Sequence, residues 1–297
     1  MSPRLALAPA LAPLLAAALL LPATAGAAGT LGTTVAKPAG KAPLRYRDEV
    51  FSRVQVARDV PYTTVADASG TPVRLTLDRY EPAGDRARDR PAMVWVHGGG
   101  FRTGTKANAN VAELARRFAR RGYVAVSIDY RLLAREVCGG PREPGGGCAA
   151  AALAAGQDAT AAVAWLRDHA RRLRVDPGRI AIGGTSAGAV TAQLVGVRAD
   201  RNHVRASVVI SGGLPGTTGL LRPAAAPSLL FAGTADRTTP YERARDNAQA
   251  LAGAGVPTVL ETLQGAGHVP FAQYGERFTR HSAYFLFPHL GLGRRTA

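Results

Sequence analysis

Cysteine is nearly missing from this 297-residue chain: Cys138 and Cys148 are the only two. Two cysteines without neighbouring histidine ligands do not complete a metal site, so the sequence offers no metal centre. Acidic residues are also scarce, 21 against 37 lysines and arginines, for a formal charge of +16. Such a charge raises the question of a nucleic-acid partner. The arginines, however, are scattered and not gathered into a basic stripe interleaved with aromatics, and pairs such as Arg116-Arg117 and Arg171-Arg172 fit solvated helix faces. No long unbroken apolar run is present: the Leu/Ala stretch ending at Leu21 is interrupted by Pro9 and Pro13 and falls short of the roughly 20 residues that span a bilayer. There is no internal repeat, and the glycine-rich turn near residue 184 is not a G-x-G-x-x-G dinucleotide loop.

What is present at the start reads as an export signal. Arg4, the Leu/Ala run and Ala23-Thr24-Ala25 give residues 1–28 the layout of a secretory signal peptide with a small-residue cleavage site. Its removal leaves 36 basic residues against 21 acidic ones, a charge of +15 that can hold a protein near anionic envelopes or acidic polymers. No cysteine near the cleavage region offers a lipid attachment point. The expectation is therefore a secreted chain without stable membrane insertion. In an oxidising exterior Cys138 and Cys148, ten positions apart in "CGGPREPGGGC", would close a local disulfide, the alternative being two free thiols. So short a loop would contribute about 3 kcal/mol or less.

Residues 29–45 are rich in Ala, Gly, Thr, Lys and Pro and read as a flexible lead-in, followed by a single domain over 46–292. "VQVARDVPY" and "VRLTLDRYEP" alternate apolar and polar residues around the turn residues "DASGTP", the pattern of an antiparallel hairpin at a sheet edge. Beyond it, short apolar runs ("AMVWVHG", "YVAVSIDY", "RIAIGG", "ASVVISGG", "SLLFAGTAD", "TVLETLQG") alternate with helical stretches near 108–121, 152–173, from 187, 240–253 and 276–287. Within the second stretch Ala162, Val163, Leu166, Ala170 and Leu173 recur at helical spacing. This order calls for a mainly parallel sheet with helices on both faces.

Three features on that framework carry chemistry. A serine hydroxyl attacks only with a base in reach, and an acyl substrate needs donors for the developing oxyanion. Gly184-Thr185-Ser186-Ala187-Gly188 fits G-x-S-x-G between a strand-like and a helix-like segment. Alone it is a weak pattern, since Gly/Ser turns also occur for backbone reasons. Placed at a helix start, the Ala187 N–H can face an anion. "HGGGF" at 97–101 follows a strand, so Gly98 and Gly99, with Gly100 as a further candidate, can offer backbone N–H groups without side-chain obstruction. His97 reads as an organiser of that loop. Asp236 closes "FAGTAD" and His268 closes "QGAGH", each just past a predicted strand, on the sheet edge where the serine turn also lies. Asp236 could equally start a turn and His268 be an ordinary loop histidine; it is the order Ser186, Asp236, His268, joined to the glycine motif, that selects the triad. His169, His203, His281 and His289 fall in or after helices, and Asp129 precedes the serine, as an organiser of the site floor.

With "HGGG" and "GTSAG" in this order, residues 50–290 resemble an α/β-hydrolase of the carboxylesterase and lipase group, close to the hormone-sensitive-lipase-like esterases. The resemblance implies Ser186 as nucleophile, His268 as general base, Asp236 as its orienter, and N–H groups of Gly98, Gly99 and Ala187 as the oxyanion hole. Hormone-sensitive-lipase-like esterases usually carry a substantial N-terminal helical cap; the little periodic apolar sequence in 29–60 leads us to expect a reduced one. The mechanism requires neither metal nor organic cofactor; export and a small cap permit environmental esters, small-molecule or polymer-linked, with short acyl chains expected, and no residue selects among them. The rivals are a serine peptidase of the prolyl-oligopeptidase type, for whose large gating domain the chain has no room, and a binding protein on an inactive hydrolase scaffold. A dienelactone-type hydrolase would normally carry cysteine at the elbow.

Overall fold

Nine strands form one sheet in the computed structural model, which describes residues 29–36, 42–67, 69–132, 146–198, 204–214 and 224–293. In chain order they are β1 (Leu31–Gly32), β2 (Val54–Ala66), β3 (Pro72–Pro82), β4 (Arg90–Val96), β5 (Val124–Ile128), β6 (Val175–Thr185), β7 (Ser207–Ile210), β8 (Ser228–Gly233) and β9 (Thr258–Leu263). Among the described residues six helices are interleaved: α1 (Ala109–Arg120), α2 (Gly146–Asp168), α3 (Ala170–Leu173), α4 (Ala187–Val197), α5 (Tyr241–Gly253) and α6 (Phe271–His289). Across the sheet the order is β1-β9-β8-β7-β6-β4-β5-β3-β2. The seven strands from β1 to β5 pair in parallel, while β3 pairs antiparallel with β5 and β2 antiparallel with β3. The edge hairpin and the mainly parallel sheet stand where the alternation patterns put them.

The central strands are mostly apolar because both faces are covered: every residue of β4, β5, β7 and β8 is buried, Arg90, Ser127, Ser207 and Ser228 among them. Side chains alternate between the two layers. Met93 and Trp95 of β4 face α1 and α6, with Trp95 edge-on to Phe118 at 5.4 Å, whereas Val94 and Val96 face the layer that holds α2 and α3. On that second side, α4 and α5 pack against Val209, Leu230 and Leu260. α1 is started by Asn108, whose side chain accepts from the Asn110 N–H at 3.1 Å.

Three sequence expectations shift. Within the stretch read as a flexible lead-in, Leu31–Gly32 is an edge strand beside β9, the Gly29 N–H donates to the Ala252 carbonyl, and the Val35 N–H donates to Glu261. A two-residue strand has no periodicity to read; its pairing with β9 is set from far along the chain. α2 starts at Gly146 and α6 at Phe271, each earlier than its apolar stripe, since first turns are exposed or lined by small residues. Before β2, the described residues hold no helix. Residues 1–28, Cys138 and His203 lie outside the described residues; Cys148 lies in the first turn of α2. Among the described residues no helix is long and apolar enough to cross a membrane, and no cluster of His, Cys, Asp or Glu could hold a metal ion.

Candidate active site

The serine sits on a strained turn. Ser186 has φ 54° and ψ −120°, a conformation that costs a non-glycine residue about 1–3 kcal/mol and persists only where the surroundings enforce it. The enforcement is visible in the packing: α4 leaves the strand so tightly that a Cβ on Gly188 would lie 2.1 Å from the Val96 carbonyl oxygen. Ser186 also occupies the N-cap of α4, where a serine ordinarily accepts from the first turn, yet it makes no such bond. Its hydroxyl is turned instead to His268, whose Nε2 lies 2.9 Å from Oγ. Nδ1 of the same ring lies 2.8 Å from Oδ2 of Asp236.

A carboxylate only accepts, so Nδ1–H donates to Asp236 and Nε2 is left to accept the serine proton. Asp236 is buried, and its other oxygen accepts the Thr238 and Thr239 N–H groups at 2.8 Å each. It therefore does start a turn, and that turn is what fixes the carboxylate. The loops bearing the two residues brace each other, through Ala235 N–H to the Ala266 carbonyl and Gly265 N–H to Thr234 Oγ1.

The glycine loop closes the other side. A Cβ on Gly98 would lie 3.1 Å from the Ser186 Cβ, which puts this loop directly against the nucleophile. Gly99 has φ +125°, and a Cβ there would lie 1.9 Å from the Thr103 carbonyl oxygen, so the loop tolerates no side chain at this point. Among the described residues the N–H groups of Gly98, Gly99 and Ala187 donate to no acceptor. Three free donors beside one half-buried serine oxygen form an environment suited to an oxyanion.

His97 makes no hydrogen bond to the serine. Its ring stacks on Tyr130 at 4.4 Å, Nδ1 contacts the Gly98 carbonyl, and burial pushes its pKa down, keeping it neutral. It organises the loop, as its position before the glycines implies. Asp129 anchors the far end of the same loop: Oδ1 accepts the Lys106 N–H at 2.8 Å, and Oδ2 accepts Lys106 Nζ at 3.1 Å and Thr76 Oγ1 at 3.0 Å. Burial works against the Lys106 charge, but the bonds to Asp59 and Asp129 raise its pKa. The sequence singles out Asp129, but no local motif announces its partner Lys106. The remaining described histidines are elsewhere: His169 stacks on Trp165, His281 pairs with Glu261, and His289 leans on Phe285.

Known proteins share this arrangement of chain. The BD-FAE family model matches residues 77–211, from β3 through the serine turn to the end of β7. Lipase 2 of Moraxella sp. (strain TA144) is 33% identical over 134 residues, covering 44% of this chain and 28% of that protein. Carboxylic ester hydrolase LipN of Mycobacterium tuberculosis is 34% identical over 152 residues, covering 50% of this chain and 35% of that protein. The chain thus spans about a third of the length of these curated relatives. Among solved structures, Thermogutta terrifontis esterase 2 phosphonylated by cyclosarin is 26% identical with a TM-score of 0.61, covering 85% of this chain and 100% of that one. The butyrate-bound form of the same esterase gives 25% identity and a TM-score of 0.58, covering 78% and 95%. With its parallel sheet and its serine turn, the chain has the α/β-hydrolase fold and is similar to these lipases and esterases.

Proposed function

We propose that this chain is a secreted serine carboxylesterase that hydrolyses carboxylic esters, short-acyl ones best, through an acyl-enzyme on Ser186. The observation that carries the reading is the unbroken hydrogen-bond chain from Asp236 through His268 to Ser186, with three unoccupied backbone donors beside it.

In the reaction, Ser186 Oγ bonds to the ester carbonyl carbon as its proton passes to His268 Nε2. The carbonyl oxygen takes the negative charge and accepts from the Gly98, Gly99 and Ala187 N–H groups. The C–O bond to the alcohol then breaks, and the alcohol leaves with the proton from Nε2. Water adds to the acyl-enzyme with Nε2 taking its proton; the acid departs and Oγ recovers the proton. Asp236 keeps Nδ1 protonated throughout, so the imidazole presents the correct nitrogen. None of these steps calls on a metal or an organic cofactor.

The relatives named lipase and ester hydrolase support ester bonds as the target, and an esterase solved with butyrate supports small acyl groups. A panel of esters of graded acyl length, with a matched amide, ranked by kcat/KM tests this. Acetyl to butyryl esters should lead, and a lead by long-chain emulsions or by the amide would contradict the substrate reading. Export rests on residues 1–28 and predicts that the mature protein begins between about residues 24 and 29 when its N-terminus is sequenced. Closure of Cys138 with Cys148 belongs to the same reading, and predicts no titratable thiol in the secreted, unfolded protein without reductant.

A further inference from the structure

We propose that Ser211 is a positioning residue: its hydroxyl clasps the backbone immediately after His268 and so fixes the imidazole against Ser186. This rests on the acyl-enzyme reading and adds a residue that no motif marks.

Ser211 follows β7 in a short turn that touches all three segments of the triad. The carbonyl of Ile210, one residue earlier, accepts the Ser186 N–H at 2.9 Å. The Ser211 N–H donates to the Phe231 carbonyl at 2.9 Å, on the strand that leads to Asp236. Its Oγ accepts the Val269 N–H at 3.0 Å, next to His268. The turn itself is pinned: a Cβ on Gly212 would lie 3.0 Å from the Ser186 carbonyl oxygen, and the Leu214 N–H donates to Gln193 Oε1 of α4 at 3.0 Å.

Two features separate a clasp from ordinary packing. Val269 has φ 44°, a left-handed conformation that is an outlier for a β-branched residue. It must be held there, and its N–H and C=O are both engaged, the N–H by Ser211 and the carbonyl by the Phe271 N–H at 2.7 Å. Ser211 is itself left-handed at φ 51° and only 2% exposed. Glycine would take that φ without steric cost, so what serine adds at this position is the hydroxyl. Among the described residues that hydroxyl makes no other hydrogen bond.

The experiment compares Ser211→Ala, Ser211→Gly and Val269→Gly in steady-state kinetics, pH–rate profiles and thermal unfolding, with Ser186→Ala as reference. Misplacing a catalytic group by about 1 Å can cost 10²-fold, so Ser211→Ala and Ser211→Gly should each lower kcat by about 10–100-fold, leave KM within about twofold, and displace the pH–rate profile. Val269→Gly keeps the N–H that the hydroxyl accepts and takes the left-handed φ without steric cost, so it should stay within about threefold of wild-type kcat. The proposal is overturned if Ser211→Gly restores wild-type kcat, for then backbone strain alone matters. It is overturned equally if the loss lies in KM with an unmoved pH profile, or if Val269→Gly, which keeps the contact, loses as much as Ser211→Ala. Should Ser211→Ala and Ser211→Gly not fold, Ser211→Cys decides: its thiol is a weak acceptor, so kcat should fall, and wild-type kcat there rejects the clasp. If Ser186→Ala stays active the acyl-enzyme reading falls and the clasp with it; if Ser186→Ala is inactive and the Ser211 variants keep wild-type kcat, the clasp alone falls.

Discussion

The two ends of the parallel strands treat their polar groups in opposite ways. At the N-terminal ends, Arg90 opens β4 with its side chain 1% exposed, 2.8 Å from Glu81 and 3.6 Å from Asp85, and donating to the Leu173 carbonyl at 2.7 Å. Glu81 also meets Arg79, and Asp85 also meets Arg45, so charge is matched by charge. At the C-terminal ends, three backbone N–H groups are left without acceptors and the serine side chain forgoes its cap. Left-handed residues occur at both ends, with Asp89 and Arg174 at the far one, so positive φ does not by itself mark the site. What marks it is the combination of strain with unspent backbone donors: one end matches buried charge with opposite charge, and the other holds backbone N–H groups ready for a reacting atom.

The sharpest way to break this contrast is to remove the nucleophile or the base. Ser186→Ala and His268→Ala should each cut kcat by roughly 10⁴–10⁶-fold, while unfolding temperatures by calorimetry stay near wild type. Next comes the donor loop. Gly99→Ala forces a Cβ toward the Thr103 carbonyl and must displace the loop; a loss of about 10²–10³ in kcat is expected, that of one oxyanion donor. At the opposite end the prediction inverts. Arg90→Met leaves the Glu81 and Asp85 carboxylates short of a partner and should cost about 3 kcal/mol in denaturant unfolding, with kcat per folded molecule unchanged.

The smallest effect concerns acid. Burial alone would raise the Glu261 pKa, but His281, Arg277 and the Val35 N–H outweigh it and hold it below its ordinary 4.5. A lowered folded pKa means the unfolded chain binds the extra proton first. The stabilisation is complete above about pH 4.5 and fades as pH falls through the folded value. The unfolding-temperature gap between wild type and Glu261→Gln should therefore be widest near neutrality and narrow in acid. A gap independent of pH would assign the residue a purely steric role.

Much of this was legible in the sequence, for reasons that also explain what was not. The edge hairpin and the buried strands advertise themselves by periodicity and by continuous apolar runs. The serine turn and the glycine loop do so because a tight turn and a ligand-facing backbone both demand small residues at fixed spacing. Asp236 and His268 were ambiguous singly; their place after strands, their order behind Ser186 and the glycine motif together selected them. β1 was hidden because its register is dictated by β9, more than 200 residues away. Ser211 and Lys106 were hidden because each acts through a partner brought near only by folding, Val269 in one case and Asp129 in the other. For α6, Pro270 ahead of Phe271 was a start signal that the apolar stripe alone passed over.

The central claim is that one oxygen, Ser186 Oγ, is activated by His268. Treating the folded protein with an activated phosphonate ester and mapping the adduct by mass spectrometry tests it most directly. The account predicts one equivalent on Ser186, none on Ser186→Ala, and slow labelling of His268→Ala. No adduct on folded wild-type protein, or an adduct on another residue, would contradict it.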